Sequence, residues 1–447
     1  MSNSRSPVKT IKTICVVVLL VLVSADAGRA VLSTPVDTSV AVPPEAPTVT
    51  IDLSKVPEER FKPAVKAVLS RHSYNESFEP FINQMNATLF DALKLDDCDY
   101  EKLREAARRY YPEQLRELQG ISDELAANGH DVSIRYLLAL MYAAELEALL
   151  YPQASSTRNG AWCTAVMIAD TCGTVIHGRN MDLPEAYGPD AGLVTLNFNV
   201  INVPHPGVPD YKAAGVTWLA ASLITAEVPF RLSMELNARY YPTYRKPPSK
   251  QAMFDYIQSG RVPVLLSYRQ MIERNGVFDF DRAVEFTSNN LPLSCPIYFA
   301  VVGAGRFKAA VMARDEDGLA VYANGTKTEP LFLDSQGDEA GANKWYLVQT
   351  NYDHWEEDPP DDPRRTIAEN CIKDNGRTYD VTSTTDVVMR CIFKDNVTTT
   401  ETVYTTIMNP ADSQFTTFVR YNMTLSEGTA IAQSASADKI QNLRPTK

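Results

Sequence analysis

The chain has 447 residues, of which 45% are hydrophobic and 22% charged. That is enough apolar material for one large or two modest cores, and it excludes a disordered chain as the default reading. The formal net charge is −12 with no stripe of Lys and Arg, which excludes nucleic acid as a partner because phosphates need clustered cations.

At the N-terminus, Arg5, Lys9 and Lys12 precede the apolar run Ile14 to Val23 and the small-residue stretch Ser24-Ala25-Asp26-Ala27. This is the pattern of a secretory signal peptide covering 1–27. The run is shorter than the ~20 apolar residues of a membrane span, so cleavage after Ala27 or Ala30 is expected to leave a soluble protein. Residues 31–50, rich in Pro, Thr and Val, read as an extended arm. From Val56 to Tyr151 the apolar spacing turns to threes and fours, predicting helices over Phe61 to Leu69, Phe81 to Leu95, Tyr100 to Leu118 and Ile134 to Leu150. Pro152 to Gly160 reads as a loop suited to processing.

Beyond that loop the period becomes two. Strands are predicted at Cys163 to Ala169, Thr174 to Arg179, Leu193 to Val203, Val216 to Thr225, Arg231 to Leu236, Tyr298 to Val302, Ala309 to Arg314, Leu319 to Tyr322 and Trp345 to Thr350. Helices are predicted at Lys250 to Gln258, Val264 to Glu273, Phe280 to Ser288, Arg364 to Lys373 and Thr382 to Ile392. Many antiparallel-looking strands with helices clustered between them imply an α+β layered domain rather than a doubly wound sheet.

Sequons at Asn75, Asn86, Asn324, Asn396 and Asn422 suggest a glycoprotein. Cys98, Cys163, Cys172, Cys295, Cys371 and Cys391 remain after the signal peptide, and no pair has CxxC spacing, so a zinc or redox motif is unsupported. Gly303-Ala304-Gly305 reads as a tight β turn rather than a nucleotide loop, since Lys308 replaces the third glycine. The prolines of Asp353 to Asp362 suit a rigid loop better than a calcium cage. No cofactor is expected.

Cys163 opens a strand directly after the flexible loop. With a four-residue turn, Ala169 faces Thr174 and Cys163 comes to the neighbourhood of Asn180, beside Arg179 and Asp182. A cation and a carboxylate near a thiol can stabilise a thiolate and orient a proton acceptor. On geometry alone, a buried structural cysteine is an equal reading.

The segment from Cys163-Thr164-Ala165 to His177-Gly178-Arg179-Asn180-Met181-Asp182 resembles the start of the catalytic subunit in the acid ceramidase and N-acylethanolamine-hydrolysing acid amidase family, cysteine amidohydrolases of the N-terminal nucleophile class. The resemblance resumes at Val348 to Trp355, at Asp361-Asp362 with Arg364-Arg365-Thr366, and at Val403-Tyr404-Thr405-Thr406. It also touches Val56 to Phe61. It implies an αββα sandwich and an autocatalytic cut between Trp162 and Cys163, giving a helical α chain of 28–162 and a catalytic β chain of 163–447. The freed α-amine of Cys163, with a reference pKa of roughly 7.7 to 8, would then serve as general base for its own thiol.

By the same resemblance, Asp182 orients the amine, Arg179 supplies a fixed positive charge, Asn351 donates to the oxyanion and Arg364 anchors the site. The implied reaction is hydrolysis of a fatty-acyl amide, ceramide to sphingoid base and fatty acid, in a lysosomal or secreted setting. The alternatives are an N-acylethanolamine hydrolase of the same family and an uncleaved secreted lipid-binding protein without activity. Expected partners are a lipid amide at a membrane surface, the α and β chains of one precursor and, as a further candidate, a lipid-presenting activator protein. Where the family usually has an acidic residue, Ala238 stands in Leu236-Asn237-Ala238-Arg239; Glu235 is three positions away, and both stay outside the catalytic set. A Cys98 to Cys371 bridge between chains, suggested by relatives, competes with Cys371 to Cys391.

Overall fold

The computed structural model describes residues 43–150, 163–183, 191–202, 207–216, 223–333 and 345–420. The signal peptide, the processing loop with Trp162, and Asn422 lie outside the described residues.

Thirteen strands are found among the described residues: β1 (Thr48–Asp52), β2 (Thr164–Ala169), β3 (Val175–Asp182), β4 (Thr195–Ile201), β5 (Tyr211–Val216), β6 (Thr225–Val228), β7 (Leu232–Ala238), β8 (Ile297–Gly303), β9 (Ala309–Arg314), β10 (Leu331–Phe332), β11 (Tyr346–Gln349), β12 (Thr402–Asn409) and β13 (Gln414–Val419). They form an eight-stranded sheet in the order β1-β4-β5-β6-β7-β8-β9-β10 and a five-stranded sheet in the order β11-β2-β3-β12-β13. Only β1 against β4 is parallel among these pairings.

The two sheets face each other through small apolar side chains, Ala165, Met167 and Ala169 against Ala300, Val302 and Val311. On the outside of the five-stranded sheet, Val166, Ile168 and Ile176 pack on the helices Arg364–Asn375 and Val381–Ile392. On the outside of the eight-stranded sheet, Phe198, Met234, Leu236 and Phe299 meet Phe61, Val65, Phe254 and Met271. The result is the helix-sheet-sheet-helix order of an α+β sandwich. Because β2 and β3 are covered on both faces, all their residues are buried; β2 is a near-continuous apolar run, whereas β3 buries His177, Arg179, Asn180 and Asp182.

Several expected elements are corrected. The predicted helix Tyr100 to Leu118 is two, Asp97–Tyr110 and Pro112–Ala127. Pro112 cannot donate to a preceding turn but suits the first position of a new helix. The helix predicted at Ile134 to Leu150 breaks at Tyr142. The expected strand Val216 to Thr225 straddles the end of β5 and the start of β6, and Leu319 to Tyr322 makes only isolated bridges. The extended arm is in part a sheet member, since β1 lies along β4 and Glu45 bridges Phe418. The region before Cys163 thus supplies a strand as well as helices.

The hairpin turn is also one residue longer than expected. Ala169 pairs with Val175 and Thr164 with Asn180, while Asp170 N–H donates to Thr174 O at 3.0 Å across the loop. A shift of one residue exchanges the faces of a strand. Arg179 and Met181 therefore share the face of Cys163, and Asn180 turns to the opposite face, where its Nδ2 donates to Ile392 O and Val397 O at 2.9 and 3.1 Å.

Cysteine pairing follows the second alternative. Cys371 and Cys391 form a disulfide between the two outer helices. Cys98 is exposed and carries a free thiol, so the expected Cys98 to Cys371 bridge is absent. The helical segment is instead tied to the strand-rich part by buried charge. Glu117, fully buried, accepts from Arg60 Nη1 at 3.0 Å and from Arg269 Nη1 and Nη2 at 2.5 and 3.0 Å.

Candidate active site

Cys163 immediately precedes β2, with 3% of its surface exposed. Its backbone N–H donates to Asn351 Oδ1 at 2.7 Å. Asn351 stands just past the end of β11, which pairs directly with β2, so strand pairing alone brings the two together. The same Oδ1 accepts from Arg364 Nη2 at 2.9 Å, and Asn351 Nδ2 donates to Ala238 O at 2.9 Å. Two donors on one atom and an acceptor on the other fix the orientation of the amide. Asn351 is therefore an acceptor toward the main-chain nitrogen of Cys163 in this state, and one of its Nδ2 hydrogens goes to Ala238 rather than to an oxyanion.

Arg364 opens the helix Arg364–Asn375 and is buried at 2% exposure, not a surface residue. Its Nε and Nη2 donate to Asp362 at 2.7 and 3.0 Å. Its Nη1 reaches Cys163 O, Asp182 Oδ2 and Thr164 Oγ1 at 3.3, 3.3 and 3.4 Å. One guanidinium thus ties the start of β2, the end of β3 and Asn351, two residues past β11, to one helix terminus, a task suited to its rigid five-donor fork.

Arg179, at 0% exposure, points its other face at the thiol: Nη2 lies 3.8 Å from Cys163 Sγ and 2.8 Å from Met181 Sδ. Its Nη1 donates to Glu235 Oε2 at 2.9 Å, Leu236 O at 2.8 Å and Asn237 Oδ1 at 3.3 Å. Asp182 ends β3; its carbonyl oxygen is 3.9 Å from Cys163 Sγ. The structure thereby brings Cys163, Arg179, Asp182, Asn351 and Arg364 into one buried cluster.

Burial dominates the electrostatics. It pushes the Cys163 thiol up to about 11, against the pull of Arg179, so the sulfur is protonated in this state. Burial also raises Asp182 to about 7, with Arg364 opposing, and Glu235 to about 7, with Arg179 opposing. His177 is pushed down to about 3 by burial and Arg179. Its Nδ1 lies 3.0 Å from Ser233 Oγ, a structural contact between the sheets.

Glu235 was outside the expected set, and the residue pattern of β7 carried the signal. Leu232, Met234, Leu236 and Ala238 face the helices, while Ser233, Glu235, Asn237 and Arg239 face the other sheet. Each of the latter meets a partner there: Ser233 His177, Glu235 Arg179, Asn237 the Gln349 carbonyl at 3.0 Å, and Arg239 the Asp353 carboxylate at 2.6 and 2.9 Å. Three alternating polar residues in a strand buried on both sides, with Arg239 just past its end, are not a solvent face. They mark a polar seam.

On the helix side, Cys163 lies in the wall of an apolar cavity of about 90 Å³, with Met181, Leu183, Leu236 and Ala238 from the strand side and Phe81, Met85 and Ala143 from the helical segment. This volume is below the ~300 Å³ lower end of small-molecule sites. Among the described residues no His, Cys, Asp or Glu cluster could hold a metal ion, and no helix is long and apolar enough to cross a membrane. Of the sequons, Asn75, Asn324 and Asn396 are exposed and Asn86 is half-buried in a helical turn.

No family model matches the chain. Curated proteins do: it is 29% identical over 268 residues to the N-acylethanolamine-hydrolyzing acid amidase of Caenorhabditis elegans, covering 59% of this chain and 66% of that one. It is 26% identical over 277 residues to the acid ceramidase of Homo sapiens, covering 58% of this chain and 62% of that one. The match to these relatives thus spans just under two thirds of their length. A solved structure of a C. elegans N-acylethanolamine-hydrolyzing acid amidase ortholog aligns with TM-score 0.46 and 23% identity over 57% of this chain and 99% of its own. The chain is thus similar to curated N-acylethanolamine-hydrolyzing acid amidases and acid ceramidases, the two names carried by the family that its motifs resemble.

Proposed function

We propose that this chain is a self-processing cysteine amidohydrolase that cuts itself between Trp162 and Cys163 and then hydrolyses the amide bond of a fatty-acyl lipid. The observation that carries the reading is the setting of Cys163: its nitrogen is held by Asn351, its sulfur faces Arg179, and it lies in the wall of an apolar cavity. Before the cut the nitrogen is an amide with no basicity, and the thiol is protonated. After it, the same nitrogen is an amine held in place by Asn351 and able to take the thiol proton. The acyl group passes to sulfur with departure of the amine, and water then releases the fatty acid. Asp182 and Arg364 hold the geometry, and the second hydrogen of Asn351 Nδ2 serves the oxyanion.

Ceramide is the substrate we put first, with an N-acylethanolamine as the alternative; relatives of both names match this chain to similar extents. An acyl chain needs more room than the cavity offers, so the cover formed by Phe81, Met85 and Ala143 must shift before binding. The proposed setting is secreted or lysosomal, with glycans on the exposed sequons, and a lipid-presenting activator protein as a candidate partner. Processed protein is tested on a panel of ceramides and N-acylethanolamines; turnover of neither, by protein with a confirmed Cys163 terminus, contradicts the lipid-amide reading.

The two chains should remain joined without a covalent link. With Cys98 free and Glu117 clamped between Arg60 and Arg269, processed protein is expected to run as one species in native gels and as two in SDS without reductant. A single SDS band that splits only on reduction would contradict this.

A further inference from the structure

We propose that Glu235 is a positioning residue that aims the Arg179 guanidinium at Cys163 and offsets part of its charge, so that a β7 carboxylate sets the acidity of the nucleophile. The inference deepens the proposed function and rests on it only for the catalytic consequence, not for the electrostatics.

Geometry carries it. Glu235 and Arg179 form an ion pair of 2.9 Å with both side chains at 0% exposure. The pair crosses the seam between the sheets. Leu236 O and Asn237 Oδ1 hold the same Nη1, so β7 grips one nitrogen of the guanidinium while the other, Nη2, is left facing the two sulfurs. A planar fork held at one end has its other end aimed. The Coulomb effect on the thiol is separate from the aiming. Arg179 lowers the pKa of Cys163 and Glu235 raises it, as expected for a cation and a carboxylate sharing a site of low polarity.

Other groups facing the pair come from every neighbouring element. Asp182 and His177 lie on β3, Tyr404 on β12 places its ring 5.9 Å from the Arg179 guanidinium carbon, and Tyr268 feels both Glu235 and Arg179 from the helical side. Burial raises the Tyr404 phenol and holds that of Tyr268 well above the usual range, and His177 is neutral. Near neutral pH this leaves Glu235 and Asp182 as the carboxyls able to change the field of Arg179.

The test is the rate of Cys163 alkylation by iodoacetamide against pH, read by peptide mass spectrometry on the secreted full chain. Glu235→Gln retains an acceptor for Arg179 but removes the charge. Its midpoint should fall by on the order of one pH unit, about a tenfold rise in reactivity at fixed pH. Glu235→Asp should restore the wild-type midpoint if it folds. Glu235→Ala, which removes both acceptor and charge, should lower processed-enzyme kcat with little change in KM. An unchanged midpoint in Glu235→Gln, with a normal circular-dichroism spectrum and melt, would overturn the proposal. Because alkylation needs neither self-cleavage nor a lipid substrate, failure of the functional reading would leave this result interpretable.

Discussion

Arg364→Ala is expected to yield a protein that does not cut before Cys163 and unfolds with about 3–5 kcal/mol less free energy, the usual cost of breaking a buried ion pair. The substitution strips the counter-charge from Asp362 and Asp182, two carboxyls at 6% and 0% exposure, and removes the donor that holds Asn351 Oδ1. Arg364→Lys separates stability from alignment. A lysine keeps a positive charge but lacks the fork, so it satisfies Asp362 or Asn351 rather than both. It should fold with a modest loss, yet appear as the Cys163-terminated chain about 100-fold more slowly, the scale expected for a misplaced reacting group. Thermal melts and time courses of processing measure the two effects. Equal processing by Arg364→Lys and wild type would mean that Arg364 is structural only.

Stability should rise as the solution becomes mildly acidic. Asp182, Glu145 and Glu235 are each pushed by burial to about 7 and Glu227 to about 8. The unfolded chain releases these protons near the ordinary carboxyl values of about 4. Between those limits the folded state binds more protons than the unfolded one, so the stabilising contribution is complete below about pH 4 and is lost as pH rises through 7 to 8.

His177 works in the opposite direction: held neutral down to about 3, it costs stability as pH falls below the ordinary histidine value. Four carboxyls outweigh one imidazole, and the expected Tm at pH 5 exceeds that at pH 7.5 by on the order of 5 °C. Glu227 is the cleanest handle. Neither of its carboxylate oxygens has a hydrogen-bond partner among the described residues, and its nearest cation, Lys212 Nζ, is 3.9 Å away. Glu227→Gln should flatten the pH dependence; a melt as steep as the wild type would place the effect elsewhere.

Much of this site was legible residue by residue. Cys163 follows a Pro, Ser and Asn-rich loop, and the strand that returns toward it carries Arg179 and Asp182; pairing of adjacent strands did the rest. Asn351 and Arg364 come from the resemblance, because they lie 188 and 201 residues downstream of Cys163 and local spacing cannot reveal that β11 pairs with β2. The hairpin register was misread by one residue, since Thr174 belongs to the turn rather than to the strand. That slip decided which of Arg179 and Asn180 faces the thiol.

The polar seam on β7 was missed for a related reason. Glu235 lies three positions from Ala238, where the resemblance places an acidic residue, and its role depends on what its own face meets across the sheets, which strand spacing does not give. β12 and β13 escaped because Thr-rich strands such as Thr402–Asn409 carry little hydropathic contrast when both faces are buried. The helix break at Pro112, by contrast, was open to inspection, as proline marks such boundaries.

Intact mass and N-terminal sequencing of secreted protein, after incubation at acid and at neutral pH with Cys163→Ala in parallel, test the central claim most directly. A new chain beginning at Cys163 is expected in the wild type and none in the variant. A wild-type chain that stays whole under both conditions would contradict it and favour a lipid-binding protein that keeps the fold without the chemistry.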